Sequence, residues 1–282
     1  MEIRRIAVVG AGTMGRGIIQ TAVAHGFEVV VAVLNEHERT AARAALQAAF
    51  QHAIARGRVG GQTLADLEGR MSWTTELDHL ASADFVIEAA SEDEQVKCEI
   101  FQRLDQVCGL AVILATNTSS ISISRLAGAT HRADRVLGMH FFNPVPVMSP
   151  VEIVRGAETS PATLDATRQL AERLGKVAFV VADRPGFVVN RVLMPLINEA
   201  AYALLEGVAD ANTIDSLLKL GCNHPMGPLQ LADLIGLDVC LSILNVLHRD
   251  LNDSKFRPCP LLAQLVEAGR LGRKTGRGFH VY

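Results

Sequence analysis

The sequence has few cysteines, few aromatic residues and no long apolar run. Its five cysteines are odd in number, widely spaced and without a C-x-x-C pair, which argues against a disulfide framework. No stretch of 18 apolar residues occurs, and the first apolar run is broken at Gly10. A membrane span and a signal-peptide core are therefore excluded. We expect a cytoplasmic protein with free thiols and no metal site.

A strong charge of either sign is also missing. The 27 lysines and arginines nearly balance the 30 acidic residues, and the formal net charge is -3. Nothing in this balance attracts nucleic acid or an anionic membrane. With 49% hydrophobic and 20% charged residues, the composition is that of a globular protein, and 282 residues suit two domains.

The first half alternates short apolar runs with amphipathic segments. Helices are predicted over 14–25, 35–56 and 95–107, the last with Val96, Ile100 and Leu104 as its apolar face. Strands alternating with helices predict an α/β fold with a Rossmann-like, doubly wound, mostly parallel sheet. The predicted strands cover 6–9, 29–33, 85–87, 112–114, 136–139, 151–154 and 177–181.

The pattern changes at the turn Asp183-Arg184-Pro185-Gly186. Beyond it the periodicity is helical, with helices predicted over 187–206, 211–220, 228–247 and 260–268. We therefore predict a nucleotide-binding domain over 1–183, followed by an all-helical domain over 184–282.

A glycine-rich G-x-G-x-x-G motif directly follows the first predicted strand and opens the first helix. Gly10 permits a tight turn, Gly12 lets a pyrophosphate approach the backbone, and Gly15 lets the helix pack closely on the strand. Thr13 and Met14 stand between the last two glycines, at the helix N-terminus that would face the phosphates. The alternative is a purely structural glycine turn, but the strand and helix context favours a dinucleotide.

The adenosine end of this site departs from the expected pattern. An acidic residue normally ends the second strand and binds the ribose hydroxyls, but here that position is Val33. Asn35 and Glu36 follow closely, and Arg39 raises the question of a 2′-phosphate. NAD is the favoured cofactor, and NADP is not excluded.

Further motifs follow one another in a specific order and carry a family resemblance. They are Glu88-Ala89 with Glu92 and Lys97, NTSS at 117–120, HFFNP at 140–144, Glu152, PGFVVNR at 185–191, HPMGP at 224–228, DLIGLD at 233–238 and GRKTGRGF at 272–279. Over essentially its whole length the chain resembles the L-3-hydroxyacyl-CoA dehydrogenase family, with the bacterial 3-hydroxybutyryl-CoA dehydrogenases as the nearest branch.

The resemblance implies a catalytic set. His140 is the expected general base and acid, and Glu152 is its partner, which fits the need to move the hydroxyl proton when hydride leaves. Ser119 and Asn190 are expected at the substrate oxygen. Without the resemblance, His140 could be a structural histidine, and Ser119 could cap a helix over 121–126.

The resemblance also implies contacts to the cofactor and to the substrate's carrier. Glu92, Lys97, Asn143 and Lys274 match cofactor-contacting positions, although Lys97 alone would be interpreted as a solvated helix charge and Lys274 as ordinary loop chemistry. Arg56 and Arg58 coincide with a basic stretch that meets the CoA phosphates. The alternative for these arginines is the favourable interaction of a cation with a helix C-terminus.

The function implied is reversible hydride transfer between NAD(H) and C3 of a short-chain (3S)-hydroxyacyl thioester, in fatty acid metabolism, by a homodimer formed through the helical domain. Ser149 stands where relatives have a lysine, so an acyl-carrier-protein thioester is one alternative to CoA. A free hydroxy acid is another substrate alternative. A cofactor-binding protein without turnover is the rival from a different class.

Overall fold

The structure, a computed structural model, describes residues 2–282. The chain divides into two compact units, the first ending at Asp183 and the second spanning Arg184–Tyr282. Each unit has its own buried apolar cluster.

The first unit is built on one sheet with the strand order β3-β2-β1-β4-β5-β6-β7-β8 among the described residues. Pairing from β3 through to β6 is parallel, β7 is antiparallel to β6, and β8 is parallel to β7. The doubly wound, mostly parallel sheet is confirmed, and each of the seven predicted strands is present. The strand bounds are β1 Arg5–Val9, β2 Glu28–Ala32, β3 Met71–Thr74, β4 Phe85–Glu88, β5 Ile113–Thr116, β6 Val136–Phe141, β7 Pro150–Arg155 and β8 Val177–Ala182.

Strand β3 is the sheet element that the periodicity did not predict. It is only four residues long and its burial is mixed, so it lacks the apolar run of its neighbours. The helices of this unit are α1 Thr13–Ala24, α2 Glu36–Ala55, α3 Leu64–Gly69, α4 Glu94–Val107, α5 Ile123–Gly128 and α6 Pro161–Arg173. Polar residues begin several of them, for example Asn35, whose side chain accepts from the backbone N–H of Glu38.

Helix α4 buries a different face from the one predicted. Val96 is 38% exposed, whereas Lys97, Phe101 and Leu104 are buried. The prediction was wrong at Val96 because Lys97 turns inward, where its Nζ lies 2.7 Å from Oε1 of the buried Glu88. An ion pair sets the rotation of the helix, and apolar spacing cannot reveal it.

The strand order reverses direction between β1 and β4, which neighbour each other although they are not consecutive. Ligands bind outside the carboxyl ends of the strands at such a switch point. The loop at Gly10 follows β1, Glu88 ends β4, and the segment 117–120 follows β5, so the motifs of the sequence meet at this edge of the sheet.

The second unit contains the helices α7 Val189–Leu205, α8 Ala211–Gly221, α9 Pro228–Ile235, α10 Leu237–Leu251 and α11 Pro260–Glu267. The single helix predicted over 228–247 is two helices, because Gly236 has a φ of 106° and separates α9 from α10. Within residues 2–282 no single helix is long and apolar enough to cross a membrane; α9 and α10 meet that test only as a pair, and they are bent by 99°.

Candidate cofactor and catalytic site

The glycine-rich loop after β1 leaves no room for side chains at two of its three glycines. Gly10 has a φ of 94°, and a Cβ there would lie 2.7 Å from the carbonyl oxygen of Ala89. A Cβ on Gly15 would overlap the carbonyl oxygen of Gly10. At Gly12, by contrast, an added Cβ would meet no atom within 4 Å. The loop is therefore tight on its strand side and open where a ligand would approach.

Helix α1 starts in this open loop. Gly12 is its N-cap, Thr13 and Met14 are its first residues, and its first turn holds no acidic residue. Backbone N–H groups and the positive end of the helix dipole are thus available to an anion. The loop fits the pyrophosphate of a dinucleotide, and the space around its three glycines is compatible with the roles that their spacing predicts.

The adenosine end of this site lacks a carboxylate at the predicted place. Val33 directly follows β2, is 5% exposed and packs in the apolar core of the unit. Asn35 is occupied as the N-cap of α2. The guanidinium of Arg39 pairs with Glu36 at 2.6 Å, and the carboxylate of Glu38 accepts from the Leu34 backbone N–H at 2.9 Å.

His140 and Glu152 form a buried pair. They are directly opposite each other in the antiparallel pairing of β6 with β7, which explains how residues twelve apart come together. His140 Nδ1 lies 2.7 Å from Glu152 Oε2, and the two residues are 6% and 3% exposed. The Phe142 ring packs against the imidazole in a T-shaped arrangement, with the ring centroids 5.0 Å apart.

Ser119 approaches the other nitrogen of the imidazole. Its Oγ lies 3.2 Å from His140 Nε2. Because an ionised carboxylate accepts only, Glu152 favours the tautomer with a proton on Nδ1, in which Nε2 is the acceptor nitrogen of the neutral ring. The arrangement is a carboxylate, an imidazole and a hydroxyl in series, which suits proton transfer to or from a substrate oxygen near Ser119.

Glu92 organises the loop that carries Ser119. Its Oε1 accepts from the Thr118 hydroxyl at 2.5 Å, from the Ser119 backbone N–H at 2.9 Å and from Ser120. The N-cap of α5 is Ser122, whose side chain accepts from Arg125, so Ser119 is not the cap of this helix. The capping alternative for Ser119 is therefore wrong.

A buried network lies under the strand ends. Glu88 Oε1 accepts from Lys97 at 2.7 Å and from the Ala90 backbone at 2.6 Å, and Oε2 accepts from the Thr116 hydroxyl at 2.6 Å. Lys97 is 1% exposed, so the interpretation of it as a solvated charge is wrong. The network fixes the segment after β4, against which Gly10 packs.

The remaining predicted residues lie in separate places. Asn143 follows β6 in the loop to β7, where it borders a small cavity together with Thr13. Arg56 is the C-cap of α2, and Arg58 follows it in an exposed turn. In the second unit, Asn190 is the second residue of α7 and is 8% exposed.

Lys274, also in the second unit, lies in a short 3-10 turn. Its Nζ is 2.6 Å from both carboxylate oxygens of Asp238, at the start of α10. Among the described residues, no cluster of three or more His, Cys, Asp or Glu side chains could hold a metal ion.

Sequence reasoning missed two residues near this edge. Lys176 is 7% exposed, and its Nζ donates to the carbonyls of Val145 and Met148. Burial lowers the pKa of this lysine. Arg16 donates to the carbonyl of Ala11 at 3.0 Å. Arg16 could have been found from the sequence, because it follows Gly10 by six residues within the glycine-loop and helix motif. No pattern in the sequence indicates that Lys176 is buried.

The doubly wound sheet, the glycine loop at its switch point and the histidine–carboxylate pair define a nucleotide-dependent oxidoreductase. Comparison with known proteins makes the class specific. Residues 5–184 match the model of the 3-hydroxyacyl-CoA dehydrogenase NAD binding domain, and residues 186–282 match the model of the 3-hydroxyacyl-CoA dehydrogenase C-terminal domain.

Relatives match along the full length. The chain is 50% identical over 282 residues to a probable 3-hydroxybutyryl-CoA dehydrogenase of Bacillus subtilis, covering 100% of this chain and 98% of the relative. It is 48% identical over 280 residues to a 3-hydroxybutyryl-CoA dehydrogenase of Bradyrhizobium diazoefficiens, covering 99% and 96%. The crystal structure of an (S)-3-hydroxybutyryl-CoA dehydrogenase from Ralstonia eutropha superimposes with a TM-score of 0.94 at 46% identity, covering 100% and 99%.

The chain therefore belongs to the 3-hydroxyacyl-CoA dehydrogenase family. It is an NAD-dependent dehydrogenase, and the family and cofactor that the sequence motifs predicted are confirmed.

Proposed function

We propose that the protein interconverts a short-chain (3S)-hydroxyacyl-CoA and the 3-ketoacyl-CoA, with 3-hydroxybutyryl-CoA as its type of substrate. The relatives named above act, by their names, on 3-hydroxybutyryl-CoA, and identities of 46–50% over full length support the transfer of that substrate. The observation that carries the proposal is the buried His140–Glu152 pair, with the Ser119 hydroxyl at the second ring nitrogen of His140.

In this mechanism His140 Nε2 takes the proton of the 3-hydroxyl during oxidation and returns it during reduction. Glu152 holds the ring by Nδ1 and stabilises the imidazolium that forms, because its carboxylate is desolvated beside the new charge. Bound NAD supplies the hydride acceptor.

Ser119 binds the 3-oxygen, since its hydroxyl can donate to a ketone or accept from an alcohol. Asn190 is the proposed second donor to the developing charge on that oxygen. Glu92 maintains the position of Ser119 through the loop contacts described above. In the cofactor site, Gly10, Gly12, Thr13, Met14 and Gly15 receive the pyrophosphate.

Glu92, Lys97, Asn143 and Lys274 are the further positions proposed to support the cofactor. Lys97 does so through Glu88, with which it pairs. Arg56 and Arg58, both exposed, are proposed to meet the phosphates of CoA. The helical second unit is the proposed surface for a homodimer, and the proposed location is the cytoplasm.

The test is a spectrophotometric panel in which NADH and NADPH are each offered with acetoacetyl-CoA, an acetoacetyl acyl carrier protein and free acetoacetate. Rapid oxidation of NADH with acetoacetyl-CoA is expected. Faster turnover of the carrier-protein thioester than of acetoacetyl-CoA would show that the substrate is a carrier-bound acyl group. The serine at position 149, where relatives have a lysine, motivates this alternative. Binding of NADH without turnover of any substrate would support a non-catalytic role.

A further inference from the structure

The distance between Ser119 and His140 depends on how the segment after β5 is placed against β6. Ser119 lies in that segment and His140 lies near the end of β6, and Ser119 Oγ is 3.2 Å from His140 Nε2. The parallel pairing of β5 with β6 ends at Thr116 with Gly138. The backbone ladder therefore stops two residues before His140 and three residues before Ser119.

The side chain of Asn117 continues the connection beyond the end of this ladder. Its Oδ1 accepts from the backbone N–H of Phe141 at 3.0 Å, and both residues are buried. Because the donor is an N–H, the amide must present its oxygen to β6. The bond joins the two elements one residue after His140 and two residues before Ser119, so it ties them close to the two groups that must meet.

Asn117 is itself held to the neighbouring strand β4. Its backbone N–H donates to the carbonyl of Glu88 at 2.7 Å, directly after the last pair of β4 with β5. The Glu88 carboxylate in turn pairs with Lys97 and accepts from the Thr116 hydroxyl. A side chain anchored in this way can hold β6 at a fixed distance, whereas a side chain on a mobile loop cannot.

The opposite edge of β6 is held by β7. There the register of His140 with Glu152 places the carboxylate at Nδ1 of the imidazole. The contact at Nε2 depends on a different relationship, namely the position of the Ser119 segment relative to β6. The β7 side of the strand thus sets one ring contact, and the β5 side sets the other.

We propose that Asn117 is a positioning residue of the reaction, because its amide oxygen, by holding Phe141, sets the distance between the Ser119 hydroxyl and His140 Nε2. The inference rests on the proposed function, since it takes both groups to act on the 3-oxygen. In this role Asn117 acts through the backbone of β6 and transfers no proton itself. An error of about 1 Å in the placement of a catalytic group can lower a rate about 10²-fold.

The experiment measures kcat and KM for acetoacetyl-CoA, together with the Kd of NADH. Asn117→Leu has a similar volume but no acceptor, so kcat should fall about 10–100-fold while the Kd of NADH is unchanged. Asn117→Asp keeps an acceptor oxygen at the same reach and should recover most of that loss, although it adds a charge. If leucine prevents folding, Asn117→Ser replaces it, because the serine hydroxyl is one bond short of Phe141, and the same fall is expected.

Thr159→Val is the matched control, because Thr159 also holds β6 through a buried side chain, at the end far from His140. Its hydroxyl donates to the carbonyl of Val136, the first residue of β6, and accepts from the backbone N–H of Gly156. The substitution removes side-chain bonds that hold the same strand. It should lower Tm and leave kcat unchanged.

Three results would overturn the inference. The first is an unchanged kcat in the variant without an acceptor, or a fall no larger than in Thr159→Val. The second is a failure of Asn117→Asp to recover kcat, which would show that the acceptor oxygen is not the important group. The third is a loss of NADH affinity as large as the loss of kcat/KM, which would place Asn117 in the cofactor site. An unaltered protein that does not reduce acetoacetyl-CoA would instead overturn the proposed function.

Discussion

His140 and Glu152 are cross-strand partners in the sheet, with the imidazole Nδ1 2.7 Å from the carboxylate. The pair is possible because β7 runs antiparallel to β6, so two residues at one level of the sheet face each other directly. Their geometry is thus a property of the sheet rather than of a loop. Catalytic groups held on strands keep their separation more exactly than groups held on mobile segments.

Replacing His140 by glutamine should lower kcat by about 10²–10⁴-fold, because the amide cannot take up the proton of the 3-hydroxyl. The affinity for NADH should change little, which a fluorescence titration measures alongside steady-state rates. His131→Gln is the control, since the His131 side chain is 97% exposed and pairs with Asp105 of α4. Turnover within a few-fold of the parent would exclude His140 as the base.

Glu152→Gln should reduce kcat on the order of 10²-fold, because a neutral amide can hold the ring but does not stabilise the imidazolium. The two residues act as one unit, so the losses should not add in the variant that carries both substitutions. A double-mutant cycle on kcat/KM measures this coupling. Fully additive losses would mean that Glu152 acts independently of His140.

Glu92→Ala should lower kcat roughly tenfold or more, because the loop with Ser119 loses a charged acceptor whose hydrogen bonds are worth about 1.5–3 kcal/mol. Glu94→Ala is the matched control: it removes a carboxylate at the start of α4 that pairs with Arg125 at 2.7 Å instead of with the loop. The kcat of both variants, measured by steady-state kinetics, tests this prediction. Equal effects of the two substitutions would contradict the role of Glu92.

Lys97→Met should destabilise the fold by about 3–5 kcal/mol, because it leaves the carboxylate of Glu88 buried without its cation. The double variant Lys97→Met/Glu88→Gln should recover part of that loss. Arg103→Met, which breaks an exposed pair with Asp78, should cost no more than about 1 kcal/mol. Urea unfolding gives all three values, and similar losses for the buried and the exposed pair would refute the argument.

Val33→Asp should tighten NADH and weaken NADPH by roughly tenfold each, since a carboxylate there accepts from the ribose hydroxyls and repels a 2′-phosphate. The valine is 5% exposed, so without cofactor the carboxylate is partly desolvated and Tm should fall. Added NADH should then raise Tm more than in the parent. Val33→Thr separates polarity from charge, and an unchanged NADH affinity in Val33→Asp would show that another residue binds the ribose.

Much of this architecture could be predicted from sequence because its strands are continuous apolar runs bounded by turns. Strand β3 was not predicted because it is short and only partly buried. The break at Gly236 was not predicted because a single glycine with positive φ does not interrupt apolar periodicity. The burial of Lys97 was not predicted either, because it depends on an ion pair with Glu88, nine positions earlier in the chain. Pairing of His140 with Glu152 required the strand register, which spacing alone does not determine.

The antiparallel register of β6 and β7 determines that His140 and Glu152 lie on the same face of the sheet. Side chains alternate across a sheet, so a slip of one residue would send Glu152 to the opposite face from His140. The buried cross-strand pairs Met139–Ile153 and Phe141–Val151 hold that register from within the strands. The distance between the two groups is therefore set within the strands, and the connecting loop 142–149 does not determine it. A substitution in the core between β6 and β7 should therefore disturb the acid–base pair more than one at an exposed position of the loop.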